Sequence, residues 1–194
     1  IAFGLCLVSV NAQTSADFFK PSDYRYTYLG IDYSNAKFIG NFSQFEDAGG
    51  KSMGAIKSTY FEGWNAVIDN EREKYNFPGS IRKERVTYDI NQASIINSKT
   101  SIENMEADFS EPFTREGIKE IVKNYDIKLN EGIGLIFIAE FLNKNRENAC
   151  FHFVAFSLNT REVLIDERYI EKAGGIGLRN YWIKPVYEAI KKMN

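Results

Sequence analysis

"GIGLIFIAEFL", residues 132–142, is apolar on both of its alternating faces and carries Glu140 as its single charge. An extended segment with no polar face belongs in the interior of a sheet that is covered on both sides. This run therefore predicts a central strand, and the rest of the chain is read around it. Downstream, the polar links "NKNREN" (143–148) and "NTRE" (159–162) separate it from "ACFHFVAFSL" (149–158) and "VLIDERYIE" (163–171). Links this short join neighbouring strands in opposite directions, so the three form an antiparallel meander.

Upstream, "YRYTYLGIDYSNAKFIG" (24–40) is rich in aromatic and β-branched residues and reads as the first strand, broken or bent near Ser34 and Asn35. The loop "FEDAGGKSMG" (45–54) leads to a run at 55–76 in which Ile56, Tyr60, Trp64, Val67 and Ile68 recur at helical spacing. Pro78 and Gly79 in "NFPG" end that helix. Residues 81–99 hold Val86, Tyr88, Ile90, Ile95 and Ile96 and read as one strand, straight or bulged. After the acidic stretch "TSIENMEADFSEPF" (100–113), Thr114 caps a helix with Ile118, Ile121, Val122 and Tyr125 on one face. A last helix aligns Ile183, Val186, Tyr187, Ile190 and Met193, and a start near Asn180 or Tyr181 keeps Pro185 in its first turns.

The expectation is one globular α/β (α+β) domain over residues 13–194. Its single mixed, mostly antiparallel sheet has about five strands packed by about three helices. A chain of 194 residues with 44% hydrophobic and 14% aromatic residues can build such a core. Its 24 basic and 26 acidic residues are interspersed, which gives no field to attract nucleic acid.

Residues 1–12, "IAFGLCLVSVNA", are uncharged, too short to span a bilayer, and end in small residues. They read as the remnant of a signal peptide, with the mature chain starting at Gln13. The residues before Cys6 do not fit a lipid-attachment motif, so a secreted or periplasmic protein of a Gram-negative-type bacterium is expected, without a transmembrane span. Cys150 is then the only cysteine left, and no intramolecular disulfide can form.

The phrase "SLNTREVL" (157–164), with the helix and apolar strand before it and an amphipathic helix after it, resembles a pattern of small periplasmic α/β domains. These include the amino-terminal domain of the TolB translocation protein and the curli-secretion and penicillin-binding-protein-activator lipoproteins. The likeness covers residues 114–194, with Ser157 and Arg161 in place of the Asp and Gly common there. It implies a non-enzymatic role in envelope assembly or binding, with another envelope protein or a glycan as partner.

Catalytic signals are sparse. "EKAGGIGLRNYW" (171–182) has three glycines before a helix, yet Asn180 stands where a dinucleotide fingerprint needs its third glycine, and Leu178 where a phosphate loop needs Lys. Only an anion held by the helix start and Arg179 remains open. His152 is the sole histidine, which excludes a multi-histidine metal site. It lies two residues from Cys150 on a strand, their Cβ atoms about 7 Å apart, too far for a thiolate–imidazole pair.

Asp32 and Glu140 sit among apolar neighbours and are the carboxylates available to a glycan or peptide hydrolase, the alternative function. Glu103, Glu106, Asp108 and Glu111 lack the spacing of a calcium loop. Tyr24, Tyr26 and Tyr28 alternate along one face of the first strand, where they could bind a partner or sugar. No metal or cofactor is expected.

Overall fold

The computed structural model describes Phe18 and residues 24–42 and 52–193. The segment 1–12 and the Gly49–Gly50 pair lie outside the described residues. The apolar run forms β5 (Ile133–Asn143), and it is the centre of a seven-stranded sheet. One edge of β5 is shared by β1 (Tyr26–Asp32) and β2 (Lys37–Ile39), which run parallel to its first and second halves. The bend at Ser34 and Asn35 separates the two.

The other edge pairs with β6 (Asn148–Ser157), and β7 (Val163–Lys172) lies beyond, both antiparallel as the short links required. Two-residue strands complete the sheet: β3 (Thr87–Tyr88) beside β1 and β4 (Glu106–Ala107) beside β2, both parallel.

Four of the six strand pairings are thus parallel, which corrects the expectation of a mostly antiparallel sheet of about five strands. Parallel neighbours need a crossover. The chain between β2 and β5 supplies it, so β1 meets β5 only after most of the helices have been laid down.

The helical crossover begins with α1 (Met53–Ile56), a π-helical turn (Lys57–Phe61) and α2 (Glu62–Asn70) in unbroken succession, then α3 (Phe77–Ser80). Residues 91–98 are also helical, as α4 (Asn91–Ser98), where a strand was expected. The β-branched isoleucines by themselves favour a strand. What decides the segment is the pair Ala93 and Asn97, one turn apart and buried against β1.

That contact completes β1. Beyond Tyr28 the strand has no β3 residue to pair with, and two buried asparagine side chains take over its edge. Asn65 accepts from the Ile31 N–H (2.6 Å) and donates to the Ile31 carbonyl (3.1 Å). Asn97 donates to the same carbonyl (2.9 Å) and accepts from the Tyr33 N–H (2.8 Å). Gly30, at φ +110°, permits the approach, since a Cβ there would stand 2.5 Å from the Asn65 Oδ1.

Thr114 caps α5 (Arg115–Lys123) as its sequence indicated, accepting from the Gly117 N–H at 3.0 Å. Its Ile118 and Val122 cover Leu29, Ile136, Ile138, Val154 and Phe156 on one face of the sheet. The opposite face is the larger core, where Trp64, Ile68 and Phe77 meet Phe137, Phe151 and Phe153 together with Trp182 of α6 (Gly177–Lys192). Both faces of β5 are therefore buried, as its composition demanded.

The start of α6 corrects a second expectation. It begins at Gly177, so Asn180 is not the cap and Pro185 lies inside the helix. Proline there cannot serve the carbonyl four residues back. That carbonyl, Tyr181 O, instead accepts from the Gly174 N–H at 3.1 Å. The glycine turn, with Gly175 at φ +118° and Gly177 at φ +80°, folds the chain back to make this bond.

Candidate functional site

Two features on the α5 side of the sheet concentrate polar chemistry. The first is a buried ionic cluster. A bulge between Ala139 and Phe141 leaves Glu140 outside the regular β5–β6 ladder, and its carboxylate is fully buried. Glu140 Oε2 accepts from the Phe113 N–H (3.0 Å) and from Arg168 Nε (3.0 Å), and Oε1 accepts from Arg168 Nη2 (2.6 Å). His152 Nε2 lies 3.1 Å from the same Oε2, and His152 Nδ1 lies 2.7 Å from Asp166 Oδ1.

Burial alone would raise the Glu140 pKa, but hydrogen bonds from His152, Arg168 and the Phe113 amide bring it down to about 2. For His152, burial works against the charged ring, and its two carboxylate partners, Asp166 foremost, nevertheless raise its pKa. Burial, reinforced by the neighbouring Glu140, pushes the Cys150 thiol well above its ordinary range. With His152 protonated, two carboxylates face two cations and the cluster is neutral. Breaking such a set strands a charge away from water.

The second feature is a groove of about 990 Å³ between α4 and α5, over the bend that joins β1 to β2. Ile95, Ile96, Met105 and Ile121 give it apolar walls, and Asn35, Asn104 and Asn124 give it amide groups. Its volume is in the range of small-molecule sites. Lys37 Nζ donates to the Asn104 carbonyl, fixing the 100–105 segment to β2, and Lys99 pairs with Asp126 at 3.8 Å. Phe113 connects the two features, since its ring lines the groove and packs on the His152 ring at 5.7 Å.

Asp32 lies beneath the groove without lining it. It accepts from the Ser34 N–H and from the Tyr125 hydroxyl, each at 2.6 Å, and both of those residues face the groove. Burial raises its pKa, and the two hydrogen bonds offset part of that effect. Asp32 and Glu140 are thus each tied to their own partners. The partners of Glu140 hold its carboxylate ionised below the usual carboxylate range, at about 2.

No family model, curated protein or solved structure matches this chain.

The tyrosine stripe is not a surface. Tyr24 is exposed, but Tyr26 and Tyr28 are buried because every residue of β1 is enclosed between helices and neighbouring strands. Arg179 is exposed in the first turn of α6, and Glu103, Glu106, Asp108 and Glu111 are exposed as well. Cys150 and His152 do share one face of β6, as alternation required.

Sequence reasoning missed Asp166, Arg168 and Phe113. The first two carried a usable signal: opposite charges two residues apart on a strand share a face, and the paired strand held the only histidine. The Phe113 contact has no sequence signature, because it uses a backbone N–H.

Proposed function

We propose that the protein is a non-catalytic binding protein of the bacterial envelope, secreted or periplasmic, and that the groove between α4 and α5 is its binding site. The observation that carries this reading is the groove itself. Its apolar walls and ring of amides suit a ligand with both apolar and hydrogen-bonding surface, such as a segment of another envelope protein or a glycan. Among the described residues, no helix is long and apolar enough to cross a membrane.

The test fills the groove without disturbing the fold. Gly117 lines the groove in the first turn of α5, and a Cβ there would meet only the Thr114 hydroxyl at 3.4 Å. Gly117→Leu should keep the thermal midpoint and abolish recovery of the partner in a crosslinking pull-down from the envelope. Undiminished capture of the same partner by this variant would refute the assignment. Turnover of envelope glycan by the purified chain would refute the non-catalytic role.

A further inference from the structure

We propose that Glu140, Cys150 and His152 form a binding site for one divalent transition-metal ion of the zinc type. A carboxylate oxygen, the thiol sulfur and an imidazole nitrogen from these residues all lie within 4.8 Å of one another, and all three residues are buried. Cys150 and His152 project from the same face of β6, and the β5 bulge swings Glu140 between them from the adjacent strand. Zinc holds its ligands at about 2.0–2.3 Å, so donor atoms gathered within 4.8 Å need draw in by only about an ångström to share one ion. A set of one sulfur, one nitrogen and one oxygen selects a borderline-soft ion over calcium or magnesium.

The surroundings match what such a site needs. Asp166 lies 2.7 Å from His152 Nδ1, which orients the ring and leaves Nε2 facing Glu140 and Cys150. A carboxylate on the outer nitrogen is the usual support of a metal-binding histidine. Three protein donors leave a fourth tetrahedral position for a water molecule.

The test titrates Co²⁺ into the metal-stripped chain and follows the near-ultraviolet absorption of a thiolate–cobalt bond. One equivalent should bind and develop that band, and Zn²⁺ should displace it. Cys150→Ala should abolish the band. His152→Gln should weaken binding strongly, and Asp166→Asn should weaken it about 10- to 100-fold while keeping the band. Circular dichroism reports whether each variant folds, and Cys150→Ser is the second choice should Cys150→Ala fail. The proposal is overturned if the wild-type chain develops no thiolate band, or if a folded Cys150 variant binds Co²⁺ as before.

Discussion

Replacing Arg168 with Met should unfold the protein more readily than any comparable change at an exposed arginine. The variant keeps the apolar stem and removes the guanidinium, which supplies two of the four polar contacts to the Glu140 carboxylate. Glu140 has no exposed surface, so water cannot replace what is lost. Two routes give the magnitude. Lowering the Glu140 pKa from 4.5 to about 2 is worth about 3 kcal/mol at roughly 1.4 kcal/mol per unit, which sets the scale for the ionised carboxylate with His152, Arg168 and the Phe113 amide acting together. Removing one partner of a buried ion pair costs about 3–5 kcal/mol, and the surviving contacts from His152 and Phe113 place this case at the lower end.

A loss of about 3 kcal/mol should lower the thermal midpoint by about 6–12 °C for a chain of this size. Glu140→Gln should cost about as much, because it removes the ionised carboxylate that Arg168, His152 and the Phe113 N–H all contact. Urea unfolding of the wild type, both single variants and the double variant, with chelator present, measures the cycle. The pH dependence adds a check of sign. The folded-state pKa of Glu140 is depressed, so its stabilisation is complete above 4.5 and is lost as pH falls through about 2. In Arg168→Met the folded-state pKa should rise, so that acid loss should be smaller and finish at higher pH. A cost below about 1 kcal/mol for Arg168→Met would refute the account.

Gly175→Val places a β-branched residue at φ +118° in the turn that satisfies the Tyr181 carbonyl, and should cost about 1–3 kcal/mol by denaturant unfolding. Asn65→Ala leaves the buried Ile31 N–H unpaired and removes donors to the Ile31 and Phe61 carbonyls, so a loss of about 3 kcal/mol is expected. Asp32 behaves oppositely to Glu140. Its folded-state pKa is raised above 3.8, so its contribution to stability is most favourable below that value and declines as pH rises through the folded-state pKa. Asp32→Asn should therefore match or exceed wild-type stability at neutral pH and flatten the profile above 3.8 in urea titrations run across pH.

What the sequence by itself determined is local. The two-sided apolarity of residues 132–142 requires a covered central strand, the polar links of four to six residues after it require antiparallel neighbours, and Thr114 with the Ile118–Val122 stripe requires a capped amphipathic helix. Each conclusion needs only residues within a few positions of one another, where backbone geometry leaves few choices.

The parallel pairing of β1 and β2 with β5 was settled by tertiary structure, because nothing in either segment encodes which distant edge it will join. The helix at Asn91–Ser98 depended on the same packing, since Asn97 replaces a missing strand partner of β1 and its isoleucines by themselves favour a strand. The ionic cluster is the clearest case. Glu140 is an isolated acid in an apolar run until the bulge of β5 turns it toward His152 and the register of β6 and β7 delivers Asp166 and Arg168 to the same face. Burial then fixes their charges, and burial is a property of the fold and not of any stretch of sequence.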